Sequence, residues 1–161
     1  MIYAILSDIH GNLPALEKVI NKTNYVDRYI ILGDVVNYGP WSNECVDLIE
    51  TLDNTIKIQG NHEIYFLEKT INTNNSLLKN FFSYSFYNFK RFKELEKYKK
   101  KYLEKNILYT HTIDNKYIYS DTKLNTTTNL FIGHSHKQFI NKNKKKNFVA
   151  NPGSVGQNRE H

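Results

Sequence analysis

Apolar and polar positions in the first third of the chain fall into two alternating patterns. Short β-rich apolar runs, Ile2-Tyr3-Ala4-Ile5-Leu6, Arg28-Tyr29-Ile30-Ile31-Leu32 and residues 55–59, each close on a polar, Gly-containing turn. Runs of that length and make-up predict buried strands. Between them lie longer stretches with helical spacing. Leu13, Leu16, Val19 and Ile20 share one helical face, with Asn12 as N-cap and Pro14 in the first turn. A second helix is predicted from Ser42, with Ser42 as its cap and Cys45, Val46, Leu48, Ile49 and Leu52 along its apolar side. Strand, helix, strand, helix, strand is the signature of a parallel α/β arrangement, whose sites lie beyond the carboxyl ends of the strands.

The pattern then changes. Asn72-Thr73-Asn74-Asn75-Ser76 is a polar break, and residues 77–103 are rich in Phe, Tyr and Lys with no Gly or Pro. One or two helices are predicted there, with Phe81, Phe82, Phe86, Phe89 and Phe92 packing on the sheet. Lys97, Lys99, Lys100, Lys101 and Lys105 read as a solvated helix end. Residues 106–110 predict a fourth strand ending in His111, and residues 116–120 a short strand or lid segment. Residues 130–132 predict a fifth strand ending in Gly133-His134-Ser135-His136. Residues 138–140 and 148–150 form a predicted hairpin whose turn carries Lys142, Lys144, Lys145 and Lys146. The loop Asn151-Pro152-Gly153-Ser154-Val155-Gly156 follows, and no internal repeat or linker divides the chain.

A chain of 161 residues, 40% hydrophobic and 24% charged, is expected to form one soluble domain over residues 1–161. No apolar run approaches the ~20 residues that span a bilayer, and no basic, apolar, small-residue leader opens the chain. Cys45 is the lone cysteine, which excludes an internal disulfide and fits a reducing, cytoplasmic setting. Lys and Arg outnumber Asp and Glu by 22 to 16, a net charge of +6. That balance permits nucleic-acid binding, but Lys and Asn are spread throughout, so a solvated basic surface is favoured.

The chemistry gathers at the strand ends, at Asp8, His10, Asp34, Asn61, His111, His134 and His136. Two carboxylates, four imidazoles and one amide suit Mn, Fe, Zn, Ni or Co rather than calcium. Seven donors without a thiolate exceed one structural zinc, and they suffice for two ions if one carboxylate bridges. Taken singly, a His is most often a satisfied polar residue, but five of the six stand at strand-end positions and only His161 lies outside. Two metals ~3.5–4 Å apart activate water and hold both ends of an in-line displacement at phosphorus. Hydrolysis of a phosphoester substrate is therefore expected.

Asp8-x-His10, Gly33-Asp34, Gly60-Asn61-His62-Glu63, His111 and Gly133-His134-Ser135-His136 resemble, in order and placement, the five motifs of the calcineurin-like metallophosphoesterases. The stretch from Asp34 to Pro40, with the final Asn-Pro-Gly-Ser-Val-Gly, is similar to the compact bacterial and archaeal phosphodiesterase branch. The resemblance spans residues 2–157 and implies a four-layer α/β/β/α sandwich. It implies that Asp8, His10 and His136 hold a first metal, that Asp34 bridges, and that Asn61, His111 and His134 complete a second. Manganese leads among the metals. His62 would act as general acid or stabilise phosphoryl charge, beside a metal-activated hydroxide as nucleophile. Many relatives orient that His with an Asp three residues after the bridge, where this chain has Asn37. Thr112 follows His111 where Gly is common, the stretch between His111 and His134 is short with no obvious lid, and relatives continue through further strands beyond the final motif. Phosphodiester hydrolysis leads the expectations. The alternatives are a phosphomonoesterase acting on phosphoprotein or nucleotide, a nuclease using the Lys runs, and a non-catalytic scaffold on the same fold, which the intact ligand set argues against.

Overall fold

The computed structural model describes residues 1–142 and 147–159. Its first half follows the sequence pattern closely. Strands β1 (Tyr3–Leu6), β2 (Arg28–Ile31) and β3 (Thr55–Lys57) form a parallel sheet in that order, linked by helices α1 (Leu13–Lys22) and α2 (Ser42–Glu50). Asn12 caps α1 by accepting the Ala15 N–H, as expected. Ser42 does not cap α2. Trp41 occupies the cap position without a side-chain bond, and the Ser42 hydroxyl instead accepts the Asn37 N–H at 3.1 Å. The serine fixes the loop that follows β2 rather than the helix it opens.

Three helices come next, α3 (Asn61–Glu68), α4 (Ser76–Tyr87) and the short α5 (Phe92–Leu95). The second sheet then holds β4 (Lys101–Glu104), β5 (Ile107–Thr110), β6 (Asn129–Phe131), β7 (Phe139–Lys142) and β8 (Phe148–Asn151), in the order β4-β5-β6-β8-β7. Its inner strands β5, β6 and β8 run parallel, and the edge strands β4 and β7 are antiparallel to their neighbours.

Strand alternation explains how the layers hold together. On the first sheet, Ala4, Leu6, Tyr29 and Ile31 face the helices and join Leu16, Val46, Ile49, Phe66, Phe82 and Leu95 in one core. Tyr3, Ile5, Ile30 and Leu32 face the other way, onto Tyr102, Ile107, Tyr109 and Phe131 of the second sheet. The first sheet is thus buried on both faces, and each fully buried Ile or Leu in it is worth roughly 1.5–3 kcal/mol. The aromatic residues of α4 pack as the spacing predicts, with Phe82 and Phe86 against Phe66. The far face of the second sheet is covered differently. Leu108, Leu130, Ile132 and Val149 lie under Ile113, Ile118 and Leu124 of residues 112–128, a stretch that holds no helix or strand.

Other expectations need correction. The Lys-rich stretch is not a helix end. Lys99 bridges to Ile58, so the chain passes from the first sheet to the second and pairs as edge strand β4. There Tyr102 turns inward while Leu103 stays exposed. Residues 116–120 are not a strand. Lys144, Lys145 and Lys146 of the hairpin turn lie outside the described residues. Among the described residues no helix is long and apolar enough to cross a membrane.

Candidate metal centre

The strand-end loops are laced to one another by backbone bonds. Asp8, His10 and Gly11 donate their N–H groups to Gly33, Asp34 and Val35 carbonyls at 2.8–3.0 Å. Gly133 donates to His111, while Val155 and Gly156 donate to Ser7 and Asp8. Five of the seven predicted ligands, Asp8, His10, Asp34, His134 and His136, adopt left-handed backbone, with φ between 51° and 68°. Asp and His enter that region at a cost that surrounding structure must offset, and it turns each side chain sharply off its strand end. Gly60 is required by close approach, because a Cβ there would collide with the Asp34 carboxylate.

All seven side chains converge. Asp8, His10 and His136 place donor atoms within 4.8 Å of one another, and so do Asp34, His111 and His134. Asp34 Oδ2 faces both sets, at 3.9 Å from His10 Nε2 and 3.2 Å from His111 Nε2. Asn61 Oδ1 lies 3.2 Å from the same His111 nitrogen.

The donors fit divalent cations. His111 Nδ1 lies 2.8 Å from the Leu32 carbonyl and His136 Nδ1 2.9 Å from the Gln157 carbonyl. Each carbonyl accepts a hydrogen bond from Nδ1 and so turns Nε2 into the centre. His10 Nε2 and His136 Nε2 stand 3.1 Å apart. Asp8 Oδ1 is fully buried, has no hydrogen-bond partner among the described residues and lies 3.2 Å from His136 Nε2. Asp8 Oδ2 accepts the His134 N–H and Asp34 Oδ1 the His62 N–H, which leaves one oxygen of each carboxylate for a cation. Burial would raise the Asp34 pKa, yet the neighbouring His111 holds it well below the usual carboxylate range; in turn, against the effect of burial, Asp34 raises His111 to about 10, a proton that a bound cation would displace. Burial pushes His10 down to about 3 and His134 down to about 4, so both imidazoles are neutral donors.

His62 and Asn37 form a pair. The Asn37 side-chain oxygen Oδ1 accepts the Tyr38 N–H at 2.8 Å, which turns the side-chain nitrogen Nδ2 toward His62 Nδ1 at 2.7 Å. Asn37 therefore donates, His62 Nδ1 accepts, and the His62 proton sits on Nε2, 3.8 Å from Asp34 Oδ2. Burial lowers the His62 pKa, which favours this neutral form.

Two supporting groups escaped the sequence reading of roles. Glu63 is completely buried and accepts N–H bonds from Gly60, Asp34, Val35 and Val36 at 2.7–3.3 Å. It ties the Asp34 loop to the start of α3, and an acid three residues after the N-cap Gly60 is the signal for it. The Asn151–Gly156 loop, noted without a role, packs on the first motif through a 2.6 Å bond from the Ser154 hydroxyl to the Asp8 carbonyl. Aromatic rings line the rim. Tyr38 packs at 4.8 Å on both His10 and His62, Tyr65 at 5.5 Å on His62, and Tyr117 stacks on His134 at 4.2 Å.

The comparisons with known proteins agree with this geometry. The chain is 31% identical to the protein MJ0912 of Methanocaldococcus jannaschii, over 98% of its own length and 77% of that protein. A metallophosphoesterase from Sphaerobacter thermophilus shares the fold with a TM-score of 0.76 at 23% identity, over 99% of this chain and 79% of that one. A symmetrical bis(5'-nucleosyl)-tetraphosphatase of Aromatoleum aromaticum is 34% identical over a stretch covering 42% of this chain and 26% of that enzyme. Residues 1–157 match the calcineurin-like phosphoesterase family, and the chain, a metal-binding phosphoester hydrolase, belongs to it.

Proposed function

We propose that residues 1–161 form one catalytic domain that hydrolyses phosphodiesters with two divalent cations, manganese first among them. The observation that carries the reading is Asp34 Oδ2, one oxygen aimed at both His10 and His111. Asp8, His10 and His136 would hold one cation, and Asn61, His111 and His134 the other, with Asp34 between. Cations held there supply Lewis-acid charge at the phosphoryl oxygens and an activated water.

The side chains of the centre have distinct tasks. Asp34 would offset the repulsion of two cations held on either side of it. Asn61 is a neutral oxygen donor that leaves that charge undiminished. His62, with its proton fixed on Nε2 by Asn37, donates a hydrogen bond to a phosphoryl or leaving oxygen and stabilises charge there. Asn37 is a donor to Nδ1, so the pair supports charge stabilisation ahead of proton donation by an imidazolium. Tyr38, Tyr65 and Tyr117 offer apolar contact on several sides of the centre, which suits a phosphorus carrying two organic groups. The partial likeness to a bis(5'-nucleosyl)-tetraphosphatase supports the same reading. The free, buried Cys45 accords with a cytoplasmic setting.

The test uses metal-stripped protein resupplied with Mn, Ni, Zn or Mg. Bis(p-nitrophenyl) phosphate is expected to turn over faster than p-nitrophenyl phosphate. The reverse preference would favour a phosphomonoesterase, and no turnover of either ester with any metal would favour the scaffold.

A further inference from the structure

Residues 112–128 bring two exposed tyrosines to the edge of the metal centre. Tyr117 is 53% exposed and Tyr119 37% exposed. Their rings are nearly parallel, 13° apart, with centroids 6.4 Å from each other. Tyr117 also stacks on His134 at 4.2 Å and 16°. The sequence His134, Tyr117, Tyr119 therefore makes an aromatic path leading out from the second set of donors.

The path ends at a cavity of about 720 Å³, of which Tyr119 is a wall. Its other lining includes Phe139 and Val149, polar Asp121 and Asn125, and the cations Lys123 and Lys142. That volume lies within the range of small-molecule sites, and apolar walls with a few polar groups are their usual make-up. The segment is held in shape. The Thr112 hydroxyl bonds the Lys116 carbonyl at 2.6 Å, the Tyr119 N–H bonds the Thr122 hydroxyl at 2.9 Å, and the Asn141 amide bonds the Ser120 carbonyl. Ile118, between the two tyrosines, is buried against the second sheet and anchors the pair from behind.

For two near-parallel exposed rings beside the metal centre, a flat heteroaromatic ring is the matching partner. The polar groups and lysines of the cavity match the polar edge of a base that reaches past Tyr119. We propose that Tyr117 and Tyr119 form a nucleobase subsite, and that the substrate is a nucleoside phosphodiester whose base stacks on this pair while its phosphorus lies at the metal centre. The proposal rests on the phosphodiesterase reading and adds the substrate class to it.

The experiment compares thymidine 5'-(p-nitrophenyl phosphate) with methyl p-nitrophenyl phosphate, two diesters that release the same phenol. The kcat/KM ratio of nucleoside to methyl ester is expected to exceed roughly tenfold, the size of one base–aromatic stack. It is expected to fall close to one in Tyr117→Ala and in Tyr119→Ala, and to persist in Tyr117→Phe and Tyr119→Phe. Among the described residues His134 has ring contacts with His111 and Tyr117 but not with Tyr119, so Tyr119 variants separate base stacking from support of that imidazole. Binding of thymidine 5'-phosphate against methyl phosphate, measured calorimetrically on the metal-loaded protein, gives a readout without turnover. A ratio near one in the wild type, or a ratio unchanged in both alanine variants, overturns the subsite. Failure to hydrolyse either ester while the thymidine phosphate still binds preferentially overturns the phosphodiesterase reading and leaves the subsite standing.

Discussion

The two sheets carry comparable loads of chemistry on very different supports. The first is parallel, packed between helices and the second sheet, and its core residues Ile30, Ile31 and Leu32 are fully buried. It delivers Asp8, His10, Asp34, Asn61 and His62. The second is mixed, has edge strand β4 with Leu103 exposed, and rests its far face under residues 112–128. It delivers His111, His134 and His136. The contrast assigns the rigid frame and the carboxylate proposed to bridge to one half, and the variable surroundings of the centre to the other. Loops on a rigid scaffold are where recognition is usually built.

If that division is right, the largest effect comes from the residue that joins the halves. Asp34→Asn is expected to lower turnover of bis(p-nitrophenyl) phosphate by roughly a thousandfold or more, since it weakens charge compensation for both cations at once. His62→Gln should come next, losing roughly 10²–10³-fold in kcat with metal content retained, as for removal of one donor to a developing oxyanion. Loss of metal in that variant would reassign His62 from charge stabilisation to ligation.

Stability should separate the two sheets as well. Ile31→Ala, in the doubly covered sheet, is expected to cost about 3–5 kcal/mol in chemical denaturation, and Leu130→Ala nearer 2 kcal/mol, because an irregular cover can settle into the space. Native-state hydrogen exchange should show the same order, with β2 amides slower than those of β6. Equal costs and equal protection would erase the distinction.

The smallest effect concerns Asn37. Asn37→Asp supplies an acceptor for a proton on His62 Nδ1, which raises the imidazole pKa from its burial-lowered value. The variant should speed diesters with poor alkyl leaving groups, which need a proton, and leave p-nitrophenyl esters within about twofold. A large change on p-nitrophenyl esters would mean that His62 already acts as a full proton donor.

Much of the donor set was legible in the sequence because each residue stands where a short apolar run stops, and strand ends in parallel sheets share one side. Other features were hidden for physical reasons. Helix α3 begins directly at Asn61 after a Gly N-cap, so its first turn reads as a continuing loop. Strand β4 is only Lys-Tyr-Leu-Glu, and its pairing with β5, rather than its own pattern, makes it a strand. Tyr117 sits in a stretch without periodicity, where tertiary packing alone brings it to His134. Glu63 was visible as part of a motif, but its four backbone bonds depend on loops far apart in the chain.

The shared carboxylate is the centre of the account, and metal stoichiometry tests it most directly. Elemental analysis of protein dialysed against manganese should give two ions per chain in the wild type, one in His111→Ala, and fewer than one in Asp34→Asn. Two ions retained in Asp34→Asn, or a single ion in the wild type, would contradict a centre bridged by Asp34.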